Sequence, residues 1–373
     1  MKRPVSRVAR ELVKVYLAKI AADRVFELYR RVRTAASGPR IHVLGYHRVV
    51  DRVELDGPVN PALCVSTATL RRQMREVRRR FEVLSLDEAM AAIAGARPLE
   101  RDACAVTFDD GYYDVLERAH PILAECGIPG AVFVPTGYAG SGRYLTHDRL
   151  YAGLWEVARR RERLRGPAWS DRLRPVAEAA ERALDAGGPA AAVEALIAAA
   201  PASALEAAAC ALEQQLGPPQ LDRGAEVLSP TAIRALADAG WEIGGHTVGH
   251  VVLTREPPQR RREELDRSKR ELESWSGRPC RYFAYCNGFH DRALVDELRA
   301  LGYSGAVTTC DRSNRPHGDR MRVSRKVLWE GHALGPDGEF SAPLSAAHLS
   351  DLFGTLGLTR PVDGEVHNQE DHA

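Results

Sequence analysis

Two short stretches carry residue types that could do hydrolytic chemistry. The first is Val106-Thr107-Phe108-Asp109-Asp110-Gly111-Tyr112, an apolar run that ends in paired carboxylates and a glycine. Neighbouring side chains on a regular strand point to opposite faces. Both carboxylates therefore serve one site only if the chain turns at Asp109-Asp110, and Gly111 permits that turn. The competing reading is a plain turn with Asp110 capping the next helix. The second stretch is Gly244-Gly245-His246-Thr247-Val248-Gly249-His250. Histidines at this spacing converge on one metal ion if the stretch makes a helical turn; otherwise they are two unrelated loop residues. Thr247 stands where a His-Glu-x-x-His helix would carry its glutamate, so a base must come from elsewhere, and the aspartate pair offers one. One aspartate and two histidines form a ligand set with positions left for water and substrate, suited to a divalent Lewis acid. The other aspartate, unligated but close, can take a proton from water.

These residues need elements to position them. From residue 41 short apolar runs alternate with amphipathic helices. Candidate strands are 41–46, 104–108, 131–135, 241–244, 281–285 and 305–308. Candidate helices are 67–80 behind Thr67, 230–239 with Ser229 as cap and Gly240 beyond its end, and 292–301 between Asp291 and Gly302. Strand, helix, strand in repetition implies a parallel sheet, open or closed as a barrel, and such folds build their sites at the carboxyl ends of the strands. Residues 150–225 break the rhythm. Alanine fills 14 of the 27 positions from Ala186 to Leu212, with Pro189 and Pro201 dividing the tract. Leu184, Val193, Leu196, Ile197 and Leu205 offer an apolar face, so an inserted helical subdomain is expected rather than a disordered linker.

The 373 residues are 45% hydrophobic and 27% charged, which supports a real core and excludes collagen-like, disulfide-scaffold and disordered classes. Seven cysteines without a CxxC pair point to reduced thiols. The net charge of +2 hides an asymmetry: residues 1–40 carry net +8 and the remainder net −6. Nucleic acid is therefore not an expected partner. Residues 5–33 have helical spacing with a basic face, either lying on an anionic membrane surface or packed on the main domain. With no transmembrane run and no signal-peptide pattern, the expected location is cytoplasmic, with the basic helix as the contact to the inner face of the membrane. The division expected is 1–38 as N-terminal helix, 41–340 as main domain with the insert, and 341–373 as a polar tail.

Thr107-Phe108-Asp109-Asp110-Gly111, then His246-Thr247-Val248-Gly249-His250, then an aromatic strand ending in Gly288, resembles the polysaccharide deacetylases of carbohydrate esterase family 4, the NodB homology group, over roughly residues 41–335. Gly45-Tyr46-His47-Arg48-Val49 and the stretch from Ala119-His120-Pro121-Ile122-Leu123 to Phe133 are similar to bacterial members associated with surface polysaccharides. The resemblance implies a distorted (β/α) barrel with about seven strands that removes N-acetyl groups from amino sugars of an N-acetylated glycan. It implies Asp109 as base, Asp110, His246 and His250 as ligands of a divalent metal, commonly zinc, and Thr247 as a loop-orienting residue.

The third motif departs from the family. In Phe283-Ala284-Tyr285-Cys286-Asn287-Gly288, Ala284 stands at the position of an arginine that steadies the base, Cys286 at a proline and Asn287 at a tyrosine. The Asn287 backbone N–H survives any side-chain change, so it is the expected oxyanion donor. Arg325 lies in a stretch similar to the family's later arginine motif and is the candidate to replace the lost charge beside Asp109; a surface arginine is the alternative. For the general acid, His332 and His317 are candidates, and His47 lines the site or bonds in the core. Cys286 reads as a tolerated substitution, since a catalytic thiol needs a base of its own. The competing functions are the same site acting on another amide or acetyl ester, and a glycan-binding protein whose catalysis has decayed.

Overall fold

The computed structural model describes residues 31–350 and 352–355. The N-terminal helix expected over 5–33 falls almost wholly outside them; residues 31–37 are helical, and Arg33 pairs with Asp102.

Eight parallel strands form the main sheet, seven of them along one continuous path. In chain order the elements are β1 (Ile41–Tyr46), β2 (Arg48–Val50), β3 (Cys64–Ser66), α1 (Thr67–Arg80), β4 (Glu82–Val83), α2 (Leu86–Ile93), β5 (Ala103–Phe108), α3 (His120–Cys126) and β6 (Gly130–Val134). Then come α4 (Thr146–Arg160), α5 (Arg174–Ala199), α6 (Ala202–Leu216), α7 (Pro230–Asp238), β7 (Glu242–Gly245) and α8 (Pro258–Ser276). The chain continues through β8 (Tyr282–Ala284), α9 (Arg292–Ala300), β9 (Gly305–Val307), β10 (Lys326–Val327), α10 (Ala342–Leu349) and α11 (Leu352–Thr355). The order across the sheet is β10-β1-β5-β6-β7-β8-β9, with β4 added beside β5. Val323, just before β10, bridges to Val307 of β9, so the two edges approach and the sheet curls into a distorted barrel. The strands forecast from apolar runs agree to within a residue or two. Sequence periodicity missed β2, β3, β4 and β10, which are two or three residues long and too short to carry a period.

Alternate residues of the strands go to different cores, as the pleat requires. Ile41, Val43, Ala103, Ala105, Ala131, Phe133, Tyr282, Ala284 and Val307 meet inside the barrel, closed at one end by Leu86, Met90 and Ile93 of α2. Leu44, Tyr46, Cys104, Val106, Phe108, Val132 and Val134 face the outer helices. Strands buried on both faces read as near-continuous apolar runs, which is why they were legible.

The insert is an ordered helical subdomain. Leu150, Leu154, Val157, Ala192, Leu196, Ala208 and Leu212 from α4, α5 and α6 make a core of their own. Gly188, at φ 79° and ψ −171°, breaks α5 ahead of Pro189. The segment from 341 onward differs from the polar tail expected. Ser341 caps α10, whose Leu344, Ala346, Ala347 and Leu349 are buried; these apolar positions outweigh the polar composition around them. Residues 356–373 lie outside the described chain. All seven cysteines are free thiols, and no described helix is long and apolar enough to cross a membrane.

Candidate active site

Asp109 continues the parity of Ala103, Ala105 and Thr107 on β5, so its carboxylate enters the barrel. Asp110 would point outward on a regular strand. Instead the backbone turns left-handed at Asp110 (φ 68°) and Gly111 (φ 59°), and both carboxylates share one end of the barrel. The turn needs glycine twice over: a Cβ at Gly111 would lie 2.9 Å from Val134 Cγ1. Gly111→Ala is expected to cost about 2 kcal/mol in urea unfolding and to weaken metal uptake by re-aiming Asp110. Unchanged stability would mean that the turn relaxes freely.

Arg325 reaches Asp109 across the barrel interior. Its Nη1 and Nη2 donate to Asp109 Oδ1 and Oδ2, each at 2.6 Å, and its Nε donates to the Thr308 carbonyl at 2.9 Å. Arg325 is 0% exposed; the surface-arginine alternative is overturned. The guanidinium absent at Ala284 is therefore supplied from the far side of the barrel. Burial alone would raise the Asp109 carboxyl, but the charge of Arg325 and its two hydrogen bonds outweigh it and hold Asp109 below the usual range. His246 and His47 add smaller attractions of the same sign.

The histidine pair does converge, but not through a helical turn. Residues 246–250 form a loop after β7 with left-handed backbone at Thr247 (φ 65°) and His250 (φ 52°). Glu264 on α8 accepts from the Val248 and Gly249 amides, both at 2.8 Å, and Thr247 Oγ1 accepts from the Val251 amide at 3.2 Å. These bonds hold a conformation that non-glycine residues rarely adopt. His246 Nε2 and His250 Nε2 lie 3.4 Å and 3.0 Å from Asp110 Oδ1. His246 Nδ1 lies 2.8 Å from the Ala284 carbonyl. A carbonyl can only accept, so the neutral ring carries its proton on Nδ1 and turns the Nε2 lone pair toward Asp110.

A divalent cation fits this arrangement. Asp110 Oδ1 is buried with no hydrogen-bond partner, yet two imidazole nitrogens face it. Burial opposes charge on both rings, but Cys286 and Asp110 outweigh it and draw both histidines toward the protonated form. Cys286 Sγ and one nitrogen from each of His246 and His250 also lie within 4.8 Å of one another, but the thiol meets His246 at the ring edge that does not face Asp110. The Cys286 Sγ lies 3.9 Å from His246 Nδ1 and 3.8 Å from the His246 carbonyl.

Asn287 (φ 55°) lines a cavity together with His147, His250, Thr146, Leu150 and Leu205. His47 is close enough to act electrostatically on both Asp109 and His147, which places it at the site end, and its Nδ1 is buried without a hydrogen-bond partner. His317 is excluded as an acid: it packs on Gly95, just past α2, at the opposite end of the barrel. His332 is held by Trp329 Nε1 at 3.1 Å and stacks on His348 at 4.3 Å. Two contributors escaped sequence reading, Glu264 and His147. Neither belongs to a motif, and both act through folds of the chain that spacing does not encode.

A model of the family described as Polysaccharide deacetylase matches residues 186–306. That span holds the histidine loop and the third motif; the aspartate pair and Arg325 lie outside it. No curated protein sequence matches the chain. Among solved structures, the fold is similar to the Streptococcus pyogenes deacetylase PplD in complex with acetate, at 16% identity and a TM-score of 0.52, covering 80% of this chain and 96% of that one. It is similar to IcaB from Ammonifex degensii, at 21% identity and 0.51, covering 84% and 97%. It is also similar to BC0361, a polysaccharide deacetylase from Bacillus cereus, at 16% identity and 0.51, covering 83% and 69%. The family match over residues 186–306, the shared barrel and the order of the motifs point the same way: the chain is similar to the polysaccharide deacetylases.

Proposed function

We propose that the chain is a metal-dependent hydrolase that removes N-acetyl groups from the amino sugars of a poly- or oligosaccharide, in surface-polysaccharide biosynthesis. One observation carries the reading: a carboxylate kept ionised by a buried arginine stands beside a second carboxylate faced by two histidines. Asp110, His246 and His250 would hold the metal. Zinc suits one oxygen and two nitrogen donors, and when bound it supplies Lewis acidity toward the acetyl carbonyl. Asp109 takes the proton of the attacking water. Arg325 fixes the two oxygens of Asp109, so that the base does not rotate and stays ionised until the water gives up its proton. The Asn287 backbone N–H is the donor for the oxyanion. The amine leaves carrying the proton that Asp109 took from the water, and acetate is the other product. The names of the similar structures, deacetylases and a polysaccharide deacetylase among them, support the substrate class.

The test is acetate release from N-acetylglucosamine oligomers, before and after chelation and on adding back zinc or cobalt, with His250→Ala as control. Activity that survives thorough chelation would sink the metal reading. The net charge of +8 over residues 1–40 supports a cytoplasmic protein peripheral to the inner face of the membrane. Deleting residues 1–36 is then expected to move it from the membrane to the soluble fraction.

A further inference from the structure

A fourth donor reaches the carboxylate that His246 and His250 share. His147 is the second residue of α4, the first helix of the insert. Its Nε2 lies 3.6 Å from Asp110 Oδ2, and its ring centroid is 4.9 Å from that of His250. One donor atom from each of Asp110, His147 and His250 lies within 4.8 Å of the other two. His246 and His250 address Oδ1, whereas His147 addresses Oδ2, so the carboxylate is faced on both oxygens.

We propose that His147 is a ligand of the divalent metal at this site, so that the inserted helical subdomain supplies a donor and the set becomes one carboxylate and three imidazoles. The inference deepens the metal reading above and rests on it. The ring is held for the task. The Tyr112 hydroxyl donates to Asp148 Oδ2 at 2.8 Å and lies 2.9 Å from His147 Nε2. Because its proton already goes to Asp148, Tyr112 can release the imidazole to a cation without stranding a buried donor. The start of α4 is in turn tied to α6. Thr146 Oγ1 donates to Glu206 at 2.7 Å, and Arg149 donates to Glu206 and to Glu213, each at 2.6 Å. A ligand on a helix fixed by such bonds loses little freedom on binding. Three imidazoles favour zinc, cobalt or nickel over magnesium or calcium. Four protein donors leave a place for substrate only on an ion that takes five or more ligands, and both zinc and cobalt can expand that far.

The experiment is titration of the metal-free full chain with cobalt(II), read by its visible absorption bands, for wild type, His147→Ala and His147→Gln. Both variants are expected to bind cobalt roughly 10- to 100-fold more weakly and to give bands of altered position or intensity. Thermal unfolding of the metal-free proteins separates a lost ligand from a lost fold, and the glutamine variant keeps the bulk and the polar contact to Tyr112. Folded variants with wild-type affinity and wild-type bands would overturn the assignment of His147 and leave the proposed deacetylase standing. A wild-type protein that takes up no cobalt would overturn both.

Discussion

Asp109→Asn is expected to lower acetate release by roughly 10²- to 10⁴-fold, the usual worth of a positioned general base, while cobalt uptake stays as in wild type. An amide fills the same volume but accepts no proton under working conditions. The proposed metal ligands are Asp110, His246 and His250; the Asp110 backbone turns the other way at φ 68°, so the substitution at Asp109 leaves them in place. Parallel assays of acetate and of cobalt absorption check both halves. Full activity would remove Asp109 from the chemistry, and a joint loss of activity and metal would make it a structural residue instead.

Arg325→Met is the second large effect, and it separates positioning from proton transfer. The guanidinium is 0% exposed and makes both of its short bonds to Asp109 at 2.6 Å. Removing one partner of a buried pair strands the other charge, at a cost of about 3–5 kcal/mol. The sign with pH follows from the cause. In the wild type, Arg325 outweighs burial and holds the folded-state Asp109 carboxyl below its unfolded value. That stabilisation is present above the unfolded pKa and is lost as the pH falls through the folded one. Without Arg325, burial is left to raise the carboxyl. The variant is then relatively most stable in acid and loses ground as the pH rises toward neutrality. The acid limb of its pH–rate profile moves upward, since the base must still shed its proton. Urea unfolding at pH 4 and pH 7, together with the rate profile, measures both. The double variant Asp109→Asn/Arg325→Met replaces the charged pair with neutral groups and is expected to recover part of the lost stability. An acid limb unmoved in Arg325→Met would deny Arg325 its role beside the base.

The aspartate pair and the histidine loop were legible because their cues are local. Phe108 ends a buried strand, and Gly111 allows the left-handed turn that brings Asp110 round. His246 and His250 follow the apolar Trp241 and Ile243. The reading failed on the mechanism of convergence at His246–His250. A helical turn was the simplest local route, but the actual loop is held from α8 by Glu264, fourteen positions after His250 in the chain.

The sequence by itself determined the alternating strands and helices, the aspartate pair with the glycine that lets it turn, the histidine pair, and the presence of a helical insert. Each depends on interactions among residues a few positions apart, which spacing records directly. Only the tertiary structure decided that Arg325, 216 positions from Asp109, is its partner, that His317 is at the wrong end, and that the insert brings His147 to Asp110. Those outcomes depend on how a curled sheet closes and on which way a helix is tied to its neighbour. A distance across a barrel interior comes from the sum of all its strand pairings, and no single segment carries it.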